Sequence, residues 1–321
     1  MKRSTVDHRR RAISTGIMLA LAGSSLPTWA ALAPGKFRIG YQKAASTLVL
    51  LRAHGTLEKQ LAPLGIKVEW NEFAAGPQLL EGLNVGAIDF GYVGEAPPVF
   101  AQAANADFVY TAYEIPTPHA EGVLVPKDSP IRSVHDLKGK KVAFNKASDV
   151  HWFLVALLRK NGLDYPDIQP VFLAPADARA AFESKAVDAW AIWEPFLSAA
   201  EKSGSARLLA DASGVASHHQ FFLSARDYAK ARPDVLNITL EALRAEGRAL
   251  IADYPKGAAE LAPIQGLPAD VIEAGLRHYA HIYKPIDAAV IAEQQTIADT
   301  FFSLGLIPKK IVVKDAVLAA K

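Results

Sequence analysis

The 321-residue sequence contains no cysteine. That absence excludes disulfides, thiolate metal sites and cysteine nucleophiles together. A G-x-S-x-G elbow, a Walker-type loop, a G-x-G-x-x-G turn and an H-E-x-x-H helix are also missing, so the common signatures of acyl hydrolysis, nucleotide binding and zinc proteolysis do not apply. Beyond the N-terminus no apolar run is long enough to anchor the chain in a bilayer. Charge of one sign is lacking as well. The formal net charge is +2, but Lys2, Arg3, Arg9, Arg10 and Arg11 lie in the first 30 residues against one acid, Asp7. The remainder carries 30 of the 35 Lys+Arg and 32 of the 33 Asp+Glu, a near-neutral balance that points to neither nucleic acid nor a membrane surface as partner.

With half of its residues apolar, the chain can bury a large core and divide into two lobes. Residues 1–30 read as an export signal. Basic residues precede an apolar run from Ile17 to Leu26, and Thr28-Trp29-Ala30 supplies a small-x-Ala cleavage site. The basic cluster leaves the secretory and twin-arginine routes both open.

Thereafter strands and helices alternate, as a parallel sheet requires. Strands are expected at 36–41, 66–70, 88–93, 108–113, 122–125, 140–144, 171–173 and 187–192. Phe221 to Ser224 is expected as a strand returning to the first lobe, and from Pro233 the chain reads as helical. The longest helix is expected at about Asp287 to Leu304. The expected division is lobe 1 at 37–121 and 225–321, and lobe 2 at 122–224, with a crossing near Gly122 to Pro126.

The stretch Ala186-Val187-Asp188-Ala189-Trp190-Ala191-Ile192-Trp193-Glu194-Pro195-Phe196 is the most informative. A buried strand stops at an acid and a proline, and proline suits the first turn of a helix. Trp193 and Glu194 thus fall at a strand's carboxyl end, where open α/β sheets bind ligands. Gly94-Glu95-Ala96-Pro97-Pro98 repeats the plan, and Ala45-Ser46-Thr47 and Ser148-Asp149-Val150-His151 also open helices after strands. Ser46 or Thr47 is expected to cap one of these helices, and Asp149 to cap the helix that it opens. Helix starts at Ser46, Gly94, Ser148 and Glu194, two from each lobe, would surround one small anion with unpaired N–H groups. Capping explains Glu95, Asp149 and Glu194 as well as a chemical role does. His278-x-x-His281 and His218-His219 lack a third metal ligand, so no metal is expected.

These runs resemble the substrate-binding proteins of bacterial aliphatic sulfonate ABC importers. The resemblance begins at Arg38-Ile39-Gly40-Tyr41-Gln42-Lys43. It is dense across Ala75-Gly76-Pro77-Gln78-Leu79-Leu80-Glu81-Gly82-Leu83-Asn84-Val85-Gly86 and Ala96-Pro97-Pro98-Val99-Phe100-Ala101-Gln102-Ala103. It continues through Asp136-Leu137-Lys138-Gly139, Ala174-Pro175-Ala176-Asp177-Ala178-Arg179-Ala180-Ala181-Phe182 and Asp188-Ala189-Trp190-Ala191-Ile192-Trp193-Glu194-Pro195, and ends at Leu306-Ile307-Pro308-Lys309-Lys310.

The resemblance implies an α/β, two-lobed periplasmic-binding-protein fold of type II with a ligand cleft between the lobes. It implies an exported, monomeric carrier that binds and delivers without catalysing, uses no cofactor, and has an ABC permease and its ATPase as partners. Family pocket positions fall on Gln42, the Ala45-Ser46 turn, Gly94-Glu95, Ser148, His151 and Trp193-Glu194. The chain departs from its relatives in those turns, at Lys43-Ala44-Ala45-Ser46-Thr47 and Ala147-Ser148-Asp149, where glycine and serine are usual. Enzymes built on related two-lobed folds depend on cysteine in the families concerned, and this chain has none. Taurine, a sulfate ester or nitrate as ligand, and a signalling role for the cleft, stay open at this level.

Overall fold

The computed structural model describes residues 35–318. The signal-peptide expectation lies outside the described residues. Among these, two mixed sheets and twelve α-helices alternate along the chain.

The first sheet begins with β1 (Gly35–Tyr41), α1 (Ser46–His54), α2 (Thr56–Leu61), β2 (Ile66–Glu72), α3 (Gly76–Asn84), β3 (Phe90–Gly94), α4 (Ala96–Ala103) and β4 (Phe108–Glu114). β1 pairs in parallel with β2 and β3, the pairing that the helical crossovers impose. The chain then passes to the second sheet through β5 (Glu121–Pro126), β6 (Lys141–Phe144), α5 (Asp149–Lys160), β7 (Gln169–Phe172), α6 (Pro175–Glu183), β8 (Ala189–Trp193), α7 (Phe196–Lys202) and β9 (Ala206–Asp211). It returns with β10 (Gln220–Ala225), which lies antiparallel between β3 and β4. The remaining elements are α8 (Arg226–Ala231), α9 (Pro233–Ala252), α10 (Tyr254–Gln265), α11 (Ala269–His278), β11 (Tyr283–Lys284) and α12 (Ala288–Ser303). The sheet orders are β11-β4-β10-β3-β1-β2 and β7-β6-β8-β5-β9.

The longest helix is α9, not the segment near 287–304. Pro233 preorganises its first turn, and its buried stripe of Val235, Leu236, Thr239, Leu240, Leu243, Gly247 and Leu250 keeps one face against the first sheet for 20 residues.

Two crossings join the sheets, at 115–120 and 212–219, and they are bonded to each other; the first precedes the expected Gly122 to Pro126, which lies within β5, paired on both sides in the second sheet. Thr117 N–H donates to Ser217 O at 2.9 Å, Thr117 Oγ1 donates to His218 O at 2.7 Å, and Ala212 N–H donates to Pro118 O at 3.0 Å. One apolar core fills the lobe around the second sheet, centred on Phe144, Phe153, Trp190 and Ile192, and two more cover the faces of the first sheet. Ala44, Ala75 and Tyr279, all carried by the lobe of the first sheet, pack into the second lobe's core. The cleft between the lobes is therefore closed.

Candidate functional site

The carboxyl ends of β1, β3, β6 and β8 converge on this cleft. Gln42, Ala44, Gly76, Gly94, Pro97, Ser148, Asp149, Trp193, Gln220 and Tyr279 line a cavity of about 10 Å³ there. No lysine or arginine is among them. Gln42 is fixed by donating to Tyr92 O at 3.1 Å, and Ser148 Oγ donates to Asn145 O at 2.7 Å.

Asp149 departs from the cap expectation. It is the first residue of α5, and Ser148 occupies the cap position without a side-chain cap bond. The Asp149 carboxylate turns across the cleft instead. Ala96 N–H, in the first turn of α4, donates to Oδ1 at 3.4 Å, and Gln220 Nε2 lies 3.5 Å from Oδ2. Gly94 makes this approach possible, because a Cβ there would fall 1.8 to 2.0 Å from the carboxylate atoms. Burial pushes Asp149 up to about 7, against the opposing effect of the Ala96 and Gln220 bonds. The start of α4 thus holds an oxyanion, and the oxyanion is the protein's own.

Two more carboxyls lie behind it. Burial, with Asp149 nearby, pushes Glu95 up to about 8; its Oε2 accepts from His219 N–H at 3.0 Å, while Oε1 has no partner. Glu121 is fully buried with neither oxygen hydrogen-bonded, and burial raises it well above the carboxylate range, with Glu95 and Asp149 adding to the shift. His218 Nε2 stands 3.7 Å from Glu121 and 3.8 Å from Asp149, but burial holds this imidazole down at about 4. Near neutral pH it supplies no positive charge.

Glu194 is held differently. Ser198 N–H donates to its Oε2 at 3.1 Å, and Ser198 Oγ and His278 Nδ1 both lie 2.7 Å from Oε1. The cap position of α7 is Pro195, not Glu194, but the carboxylate one residue earlier accepts the Ser198 N–H of the first turn and ties α7 to α11 as well.

The structure brings Gln42, Gly94, Ser148 and Trp193 to one cavity. Ser46 and Glu194 line a second small hollow beside it, with Ala44 and Tyr279. The expected cap at Ser46 or Thr47 is not formed: the cap residue of α1 is Ala45, and both hydroxyl residues lie inside the helix. His151 is away from the cavity; Ala147 N–H donates to its Nδ1 at 3.2 Å, and the ring packs among Phe100, Phe144 and Phe301. Burial lowers it to about 4. His278 and His281 do not share a helix face, because α11 ends at His278 and His281 lies beyond it with φ 53°. Among the described residues no group of three or more His, Asp or Glu is arranged to hold a metal ion. Gln220 and Tyr279 were absent from the sequence-based candidates. Gln220 opens a strand paired between β3 and β4, so its place in the cleft depends on pairings more than 100 residues away in the chain.

The family described as NMT1/THI5 like matches residues 62–258. A putative aliphatic sulfonates-binding protein of Escherichia coli (strain K12) is 45% identical over 306 residues, covering 94% of this chain and 95% of that protein. A protein of the same description from Bacillus subtilis (strain 168) is 34% identical over 88% of this chain and 85% of its own length. In three dimensions, the alkanesulfonate-binding protein SsuA from Xanthomonas axonopodis pv. citri, solved bound to MOPS, superposes with a TM-score of 0.86 at 47% identity, over 89% of this chain and 99% of that one. With that likeness across nearly its whole length, the chain belongs to the aliphatic sulfonate-binding proteins of the NMT1/THI5-like family.

Proposed function

We propose that the protein captures aliphatic sulfonates in the cleft and delivers them to an ABC permease and its ATPase for sulfur acquisition. On this reading it is a monomeric periplasmic carrier without catalytic chemistry. The observation that supports it most directly is the carboxylate of Asp149 on the Ala96 N–H at the start of α4, facing Gly94. A sulfonate is an oxyanion of similar demand, and a helix start serves it without arginine. Ligand entry would require the lobes to part about the paired crossings at 115–120 and 212–219, as hinge closure does in such folds. Calorimetry on the purified protein tests the reading: hexanesulfonate is expected to bind one to one and inorganic sulfate weakly. Equal affinity for the two would sink it.

A second reading is favoured by the acids. Glu121 with two unpartnered oxygens and Glu95 with one lie behind Asp149, and an ammonium arriving beside Asp149 would hold that carboxyl ionised, which suits a ligand carrying an ammonium as well as a sulfonate. Taurine binding more tightly than ethanesulfonate would favour this second reading over the first.

A further inference from the structure

Glu121 opens β5 directly after the first crossing, and its backbone is fixed there by pairing with Trp193 of β8. Its carboxyl is fully buried, and neither oxygen has a hydrogen-bond partner. Four groups face it: Asp149 at the start of α5, Glu95 before α4, His218 in the second crossing and Tyr279 after α11. None brings a positive charge near neutral pH. His218 comes within 3.7 Å, but it has no N–H to spare. Its Nδ1 donates to Thr117 O at 3.0 Å, which leaves Nε2 to accept from Gln220 Nε2 at 3.0 Å. Glu95 and Asp149 each keep a bond from a backbone N–H, which supports their charged forms; Glu121 has none.

A carboxylate with neither donor nor cation is not tolerated in such surroundings, so Glu121 carries its proton while the lobes are together. The enclosure is assembled from both lobes. Glu95 and Tyr279 belong to the lobe of the first sheet and Asp149 to that of the second, and the crossings, bonded through Thr117 and His218, close the remaining side. We propose that Glu121 is a proton-operated lock in the hinge: the lobes close over the neutral acid, and loss of its proton to solvent drives them apart until water reaches the carboxylate. The lock rests on the hinge motion of the carrier reading and not on which ligand the cleft takes. Opening lets the carboxyl ionise at its ordinary value, and closing takes the proton back from solvent. Closure is therefore favoured most below the ordinary carboxylate range. Above it the ratio of closed to open molecules falls about tenfold per pH unit while Glu121 stays protonated in the closed form, up to about a thousandfold between pH 6 and pH 9.

Small-angle scattering of the ligand-free protein at these two pH values tests the lock, on the wild type, Glu121→Gln and Glu121→Met. Both substitutions keep the length of the side chain and cannot ionise. The wild type is expected to expand at pH 9, and both variants to stay as compact as at pH 6. A wild type with the same radius of gyration at both pH values, or variants that expand with it, overturns the lock. So does loss of the helical circular dichroism signal in both variants at pH 6, which would make the carboxyl a requirement of the fold. Titration of hexanesulfonate into the wild type at pH 6 reads the carrier proposal separately: absence of binding removes the sulfonate, while the scattering still decides the lock.

Discussion

At the end of β3 and at the end of β8 the chain runs through the same succession of strand, acid, proline and helix, yet Glu95 and Glu194 are held in opposite ways. Glu194 receives three hydrogen bonds, two from Ser198 in its own helix and one from His278 in the facing lobe. Glu95 receives one backbone bond from His219, keeps an oxygen without a partner, and is pushed up to about 8 by burial and by Asp149. The first is a structural clamp. The second belongs to a group of buried acids that takes up protons near neutral pH. The difference comes from what each acid meets: a serine one turn on, at Ser198, against a second carboxylate on the opposite side of the cleft.

Removing each acid breaks the comparison most directly. Glu194→Ala leaves the Ser198 N–H and hydroxyl and His278 without their acceptor, and is expected to lower the unfolding free energy by about 3 kcal/mol. Glu95→Gln removes a carboxyl whose ionisation is already disfavoured, and is expected to leave stability at pH 8 unchanged or slightly raised. Urea denaturation of both variants at that pH decides it. An equal loss in the two would mean that Glu95 is as much a clamp as Glu194.

The next largest effect concerns Asp149, which sets the two helix starts apart by occupying one of them. If its carboxylate competes with the ligand for the start of α4, Asp149→Ser should tighten hexanesulfonate binding about tenfold. Stability should change little, since Ser148 already fills the cap position of α5. Unaltered affinity would show that the ligand head sits elsewhere. Loss of taurine binding alone would instead support the zwitterion reading.

How much of this was legible in the sequence follows from the range of the forces involved. The succession of parallel strands and helices is local: Ala189 to Trp193 is apolar because β8 is buried on both faces, and the expected strand at 187–192 lies within a residue or two of it. By contrast β9 was missed, because it runs largely half-exposed beside β5 and lacks a clear apolar alternation. Of the site, the helix starts were readable from Ser148-Asp149 and Gly94-Glu95. The direction of the Asp149 side chain was not. It is decided by an N–H 53 residues earlier in the chain and by the missing Cβ of Gly94, neither of which leaves a mark near position 149.

The smallest expected effect, and the most specific to the acid group, is on pH dependence. Glu95 at about 8, Asp149 at about 7, Glu114 at about 7 and Glu121, well above the ordinary range, are all raised chiefly by burial. A raised carboxyl binds protons that the unfolded chain has already released. Its contribution to stability is therefore full below the ordinary carboxylate range and is lost as pH rises through about 7 to 8. His151, His218 and His281, lowered to about 4 by burial, act in the other direction, and their contribution is lost as pH falls from the ordinary histidine range toward 4. The two effects oppose each other between the ordinary carboxylate and histidine ranges, and above the histidine range only the acids act, so stability should fall from there to pH 8. Binding follows the acids alone, because His218 stays neutral across this range and a sulfonate stays anionic. An anion arriving beside Asp149 raises its proton affinity, and a rise of half a unit corresponds to about threefold in affinity. Hexanesulfonate should accordingly bind about threefold tighter at pH 6 than at pH 8, with the slope reduced in Asp149→Ser. Affinity that is flat with pH in the wild type, or that falls toward pH 6, would place the ligand out of reach of these carboxyls and return Glu95 to the same standing as Glu194.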